Sequence, residues 1–504
     1  MKQKGVKAMD NQKDFLCLEH NGKILSKQIE AENDFQETVP AYCDDIYRVI
    51  KCSCRSYITS ADISYNEIKI YGKIEIGLSY YNENSNICFV DFEENFTKTV
   101  SADNLSDSSF VCADICDKYI NYRVINQRRI DIHTSSTVIF DVYDRISCPQ
   151  ISVCENAKLK KENVKTSNII NSIMTKIEFD EDYSLPAGFE PVKRVISFTA
   201  YASVTETKTI KDKALVKANV NISALYVADN ENEEIENIEY TFNVSKIIDC
   251  SGISDKDICI SDIKIGSLYV KAKNNGGERV NALEIFGDLS LNNVFIRENR
   301  LELVTDGYIP EYISECSYSD YGVNEAGEYV NENKLINLSF PMPDGVNRVY
   351  DIGLTVLTPI FKSGKLIFSV QADVLCENEN GEIISFSAGD DAELNYPSYS
   401  EAVAGVSINS FDYTISDRNS LDLRINSVIN MYMFNTRNIS VLTDVNETDR
   451  ISNTPSLTVY FGKADESVWN IAKRFSSDEN VIIEENSLVS DILDADRVLI
   501  IPKA

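Results

Sequence analysis

Only two histidines, His20 and His133, stand in 504 residues, so proton-relay chemistry near neutral pH would have to run through one of them. His133 alternates with apolar neighbours as on a strand, which favours a structural role. No Gly-x-Ser-x-Gly elbow occurs, and Pro359 stands where the leading glycine of a phosphate loop ending in Gly364-Lys365 would have to be. The acid pairs Glu484-Glu485 and Asp390-Asp391 are sequence neighbours that do not face one another, and 79 acidic residues make such neighbours common. Cys52 and Cys54 would share one face of a strand, a conceivable metal pair, but no second pair and no histidine stands near them. These residues predict no catalytic centre, no metal site and no cofactor.

Recognition chemistry is concentrated at the other end of the chain. Leu457–Phe461 and Val498–Ile501 are β-branched and aromatic runs, the second stopped by Pro502. Between them Val468, Ile471, Ala472 and Phe475 recur at i, i+3, i+4 and i+7, one apolar stripe on a helix that Asp465 could cap. Ser477-Asp478 offers a second cap before Val481, Ile482 and Ile483, and this shorter helix should end near Asn486. Residues 456–504 therefore predict a small βααβ domain. Trp469, the single tryptophan, lies about 100° around the helix from Val468, at the edge of the stripe. It should be partly exposed, and a ring of that kind makes a good anchor for a protein partner.

This module resembles a LysM domain. Glu466-Ser467-Val468-Trp469-Asn470-Ile471-Ala472 sits where that family has an acidic residue, Thr or Ser, an aliphatic, Trp and Ile-Ala. Two family glycines are replaced, by Asp465 before the acidic residue and by Ala495-Asp496 before the last strand. The resemblance implies a glycan groove between the two loops, to which Glu466, Ser467 and Asn486 would contribute. The lost glycines and added acids speak for a protein partner instead, bound through Trp469 with Leu457 and Tyr460 as secondary contacts. A purely structural cap is the third alternative.

Charge narrows the partners further. Lysine plus arginine number 49 against 79 acids, a net charge of −30, which repels nucleic acid and anionic membranes. No apolar run approaches the roughly 18 residues of a membrane helix. The stretch after Met1 lacks the apolar core of a signal peptide, which points to the cytoplasm. Thirteen cysteines, an odd number without paired spacing, are expected to be free thiols.

The elements that must position the C-terminal module repeat. Ile70–Tyr81 alternates like a half-buried strand and runs into a turn at Asn82-Glu83-Asn84; Val216–Val227 and Leu366–Cys376 do the same before Ala228-Asp229-Asn230 and Glu377–Gly381. Later in each copy Ile130-Asp131-Ile132, Leu283-Glu284-Ile285 and Leu421-Asp422-Leu423 open another alternating strand. Period-2 patterning predicts a mainly β protein of three repeated sandwich-like domains followed by the βααβ module. The expected boundaries are 1–36 for an N-terminal extension, 37–147, 160–305 and 306–446 for the β domains, and 456–504 for the module. Polar composition makes Cys148–Glu162 and Ser317–Lys334 candidate linkers or long loops. Thr443–Pro455 is the clearest linker, on which the module should move.

The repeats resemble SPOCS domains of endospore formers. The likeness rests on Ala224–Asp229, on Arg279-Val280 and on Val304-Thr305-Asp306-Gly307-Tyr308. Three repeats plus one LysM module is the arrangement of a spore-coat morphogenetic family of clostridia. That likeness implies a scaffold in the mother-cell cytoplasm, on the forespore surface, binding the stage IV sporulation ATPase that polymerises into the basement layer of the coat.

Overall fold

The computed structural model describes residues 13–103, 105–273, 280–416, 420–451 and 456–502. Arg279 and residues 452–455 of the expected linker lie outside the described residues.

Every second residue of β3 (Glu67–Tyr81) is apolar, and Ile68, Ile70, Ile74, Ile76, Leu78 and Tyr80 are all buried. That strand is the centre of a three-stranded antiparallel sheet with β2 (Arg48–Ser64) and β4 (Ile87–Ser101). A second sheet is built from β1 (Lys13–Thr38), β6 (Arg129–Cys154) and β5 (Phe110–Asn126), in that order. One core draws on both sheets, with Ile70 and Ile76 from one and Ile132 and Phe140 from the other, the arrangement of a sandwich.

The second unit repeats this order. β8 (Val192–Ile210), β9 (Lys213–Ala228) and β10 (Ile235–Asp249) form its small sheet, and β7 (Lys158–Ser184), β12 (Ala282–Tyr308) and β11 (Ile258–Ala272) the larger one. In the third unit β16 (Lys365–Asn378) is central. It is flanked by β14 (Val346–Val356) and the short β15 (Ile360–Lys362) on one side and by β17 (Ile383–Asn395) on the other. The unit's β13 (Tyr312–Pro341), β19 (Ser420–Arg450) and β18 (Glu401–Ser416) continue the larger sheet of the second unit, joined to β7 at Glu325↔Thr166, into one sheet of six strands. The two repeated sequence markers thus fall on equivalent strands, the first on β3, β9 and β16, the second at the start of β6, β12 and β19.

The polar segments expected as linkers are strands. Residues 13–36, expected as an extension, lie in β1, paired with β6 from Lys13↔Cys154 to Thr38↔Arg129. Cys148–Glu162 holds the end of β6 and the start of β7, joined at Glu155-Asn156-Ala157. Ser317–Lys334 lies wholly within β13, and Thr443–Arg450 completes β19. In each unit the first and last strands overrun the sandwich as a two-stranded ribbon. One side of each ribbon faces water, so polar residues alternate with a sparse apolar row that composition alone does not reveal. The ribbon pairs Leu18↔Cys148, Val164↔Leu301 and Tyr321↔Ile439 meet in one shared core, so the three ribbons close on a common axis. His20 crosses there to Tyr321, with Nδ1 2.8 Å from the hydroxyl, a structural contact between the first and third ribbons.

The sandwiches are also fastened to each other. The Lys264 ammonium of unit two is paired with Asp114 of unit one, and Thr358 of unit three donates to the same carboxylate at 2.5 Å. At Gly405 of β18 the backbone passes so near β11 that a Cβ would stand 2.6 Å from the Ser261 carbonyl oxygen. Glycine permits that approach. Cys52 and Cys54 pack half-buried against the first core, and burial pushes the Cys52 thiol up to about 12, the state of an inert core cysteine.

Candidate functional site

The C-terminal module consists of β20 (Leu457–Gly462), α1 (Val468–Phe475), α2 (Glu479–Glu485) and β21 (Arg497–Pro502). Val468, Ile471 and Ala472 of the predicted stripe are buried and Phe475 is half-buried, packed with Ile482, Leu493, Leu499 and Ile501. The N-cap of α1 is Ser467, without a side-chain cap bond, rather than Asp465. Asp465 adopts φ 66°, a left-handed conformation that Asp tolerates better than most residues, and so fills the turn where glycine was expected. Asp478 caps α2 as expected, its side chain accepting from Asn480 N at 2.9 Å, and Asn486 is the C-cap.

Trp469 is not at an exposed rim. It is 6% exposed, and its ring meets Tyr308 edge to face at 5.1 Å. Its Nε1–H donates to Asp306 Oδ2 at 2.8 Å, while Lys473 donates to Oδ1 of the same carboxylate at 2.6 Å and the Tyr318 hydroxyl adds a third bond at 2.8 Å. Burial alone would raise the Asp306 carboxyl, but these donors outweigh it and hold the group below the usual carboxylate range. The Tyr308 hydroxyl donates to the Ser477 carbonyl at 2.8 Å, and Lys158 pairs with Asp478 at 2.5 Å. The expectation of a module moving on a linker is corrected by these contacts: the module is seated on the outer ends of β7 and β12, α1 against Asp306 and Tyr308 and the N-cap of α2 against Lys158. The seat residues Asp306 and Tyr308 belong to the Val304–Tyr308 segment noticed in the sequence only as a mark of kinship. An aspartate and a tyrosine two apart on a strand share one face, a signal that was there to be used.

With the stripe and Trp469 turned inward, the opposite side of the module is left to water. Leu457, Val459 and Phe461 are 54%, 68% and 59% exposed, and Val498 and Ile500 on the paired strand are 61% and 40% exposed. The register sets Phe461 against Val498 and Val459 against Ile500, so these residues form one continuous apolar face. Tyr460 is on the other face of β20 from Leu457. Its ring packs 5.1 Å from Phe475, and its hydroxyl donates to Glu466 Oε1 at 2.8 Å. Leu457 and Tyr460 therefore do not share a surface.

The expected glycan-groove residues are engaged internally. Glu466 accepts from Tyr460 and, at 3.2 Å, from Lys463 N; Ser467 bridges to Ile492; Asn486 holds both backbone groups of Ile500, at 2.7 Å each. The two loops that would flank a sugar are bonded to each other, Asp465 N to Leu493 O at 2.9 Å, Val468 N to Asp491 O at 2.8 Å and Ala464 N to Asp496 Oδ1 at 2.8 Å.

Residues 45–125 and 191–273 match the family model described as SipL, SPOCS domain, and residues 463–502 match the LysM domain. The SPOCS segments fall in the first and second units, whose strand order the third unit repeats. The chain carries SPOCS domains and a C-terminal LysM domain, a combination that assigns it to sporulation. No curated protein matches it. Among the described residues no helix is long and apolar enough to cross a membrane.

Proposed function

We propose that the chain is a non-enzymatic scaffold of spore morphogenesis that recruits the ATPase of the coat basement layer, stage IV sporulation protein A, to the forespore surface on the mother-cell side. The LysM domain is the recruiting element. The observation that carries this reading is the five-residue apolar face of β20 and β21, which stays exposed while Trp469 and the apolar stripe of α1 are packed inward. A contiguous apolar patch exposed on a domain surface is a usual mark of a protein contact. Leu457 contributes to it directly, Tyr460 braces β20 from inside, and Trp469 acts by fixing the orientation in which the face is presented.

The alternative, a wall-glycan binder, has against it the mutual bonding of the two loops and the internal engagement of Glu466, Ser467 and Asn486. Sedimentation of the full chain with purified peptidoglycan, run beside capture on immobilised ATPase, tests the proposal. Retention by the ATPase without cosedimentation is expected. Cosedimentation with peptidoglycan and no retention by the ATPase would overturn it.

A further inference from the structure

Between the second and third units lies a cleft of about 360 Å³. One wall comes from β8, β9 and β10, the other from β14 and β18. Five rings line it, Tyr201, Tyr240, Tyr350, Phe411 and Tyr413, together with the carboxylates of Glu239, Asp351 and Asp412. No lysine, arginine or histidine is among the lining residues, although the chain has 49 lysines and arginines to place.

The three acids are held differently. Asp351 is buried and accepts from Ser223 Oγ at 2.8 Å and Thr199 Oγ1 at 3.2 Å, so it belongs to the wall. Glu239 and Asp412 are exposed and make no hydrogen bond or ion pair among the described residues; Arg424 stands across the ladder from Asp412 but does not line the cleft. One comes from β10 and one from β18, yet both bear on the same phenol. The Tyr201 hydroxyl is pushed up to about 12, first by burial and then by Glu239 and Asp412. Two unengaged anions from different units thus bear on one phenol of an aromatic-lined cleft.

An anion entering here would meet two carboxylates with no cation among the lining residues to answer it. A cation would meet complementary charge and the negative faces of the rings together. The same pairing already exists beside the cleft, where the Arg348 guanidinium lies 4.8 Å from the centre of the Tyr350 ring. The size is that of an ordinary ligand site, and the net charge of −30 concentrates cations around the molecule.

We propose that this cleft binds an organic cation, an alkylammonium or guanidinium group, with Glu239 and Asp412 holding the charge against Tyr201, Phe411 and Tyr413. Because the walls belong to two units, occupancy also fixes one sandwich against the next.

The test uses the full chain at physiological ionic strength and two probes, a fluorescein-labelled peptide of alternating glycine and arginine, followed by anisotropy, and spermidine as competitor. Glu239→Gln with Asp412→Asn should weaken binding about tenfold or more, and Tyr413→Ala should weaken it with the charge intact. Asp390→Asn with Asp391→Asn removes the same charge from β17, outside the cleft, and should change nothing. Displacement of the peptide by spermidine supports the site for either source of cation. Peptide binding indifferent to spermidine assigns the site to side chains of a partner protein, and spermidine binding alone assigns it to a free polyamine. Equal losses in the two double variants, or no binding of either probe, would overturn the proposal.

Discussion

Asp306 is the residue on which the placement of the LysM domain turns, because three side-chain donors from two parts of the chain converge on its carboxylate. Asp306→Ala would leave the N–H of the buried Trp469 indole without its acceptor and the partly exposed Lys473 ammonium without its counter-ion. Removing one partner from buried donors costs about 1–3 kcal/mol, enough to shift the docked equilibrium strongly. Since Trp469 is the single tryptophan, its emission reports this contact alone. The wild type should emit at the blue end of the tryptophan range, and Asp306→Ala should move emission to the red while far-ultraviolet circular dichroism stays that of a β protein. An unchanged emission maximum in the variant would show that Asp306 does not hold the domain.

At the scale of elements, what the sequence disclosed depended on how deeply each element is buried. β3, β9 and β16 read clearly because one face of each central strand is fully buried and keeps a clean period of two, and β20, α1, α2 and β21 read clearly because period and caps agree. The ribbon ends of β1, β6, β7, β12, β13 and β19 did not. Their composition resembles that of loops, since pairing satisfies the backbone while only a row such as Leu18, Val164 and Tyr321 reaches the shared core. The same effect misplaced Trp469. A helical wheel shows that it borders the stripe, but its burial is decided by Tyr308, which lies in another domain and which no local periodicity can report. The outer face of β20 and β21 was overlooked for the opposite reason. A strand of alternating residues in a two-stranded sheet has two sides, and the first expectation combined Leu457 and Tyr460 from different ones.

For the whole molecule, the three units are held in register by polar contacts at their junction as well as by the ribbon cores. Glu75 shows what this costs. It is 8% exposed, and burial pushes its carboxyl up to about 7, with Arg55 and Lys73 opposing the rise and Glu93 adding to it; the Tyr57 hydroxyl donates to it at 3.4 Å. A carboxyl raised above its unfolded value of about 4.3 contributes stability that is fully present below that value and lost as pH rises through 7. Glu75→Gln, which keeps the shape without the charge, should therefore melt about 2–4 °C above the wild type near pH 8 and level with it near pH 5. Differential scanning calorimetry at the two pH values checks this, and an advantage that is equal at both would remove Glu75 as the titrating group.

The central claim is that the scaffold docks one side of its LysM domain on itself in order to present the other side to the ATPase. The most direct test is a titration of purified full chain against the ATPase, comparing wild type with Phe461→Asp. The substituted residue is 59% exposed and on the outer face, so the fold should be kept and Trp469 emission should be unchanged. A charge placed on that face in place of its largest ring should weaken binding at least about tenfold, the loss of an interface hot spot. Binding at wild-type affinity by a folded Phe461→Asp chain would contradict the account.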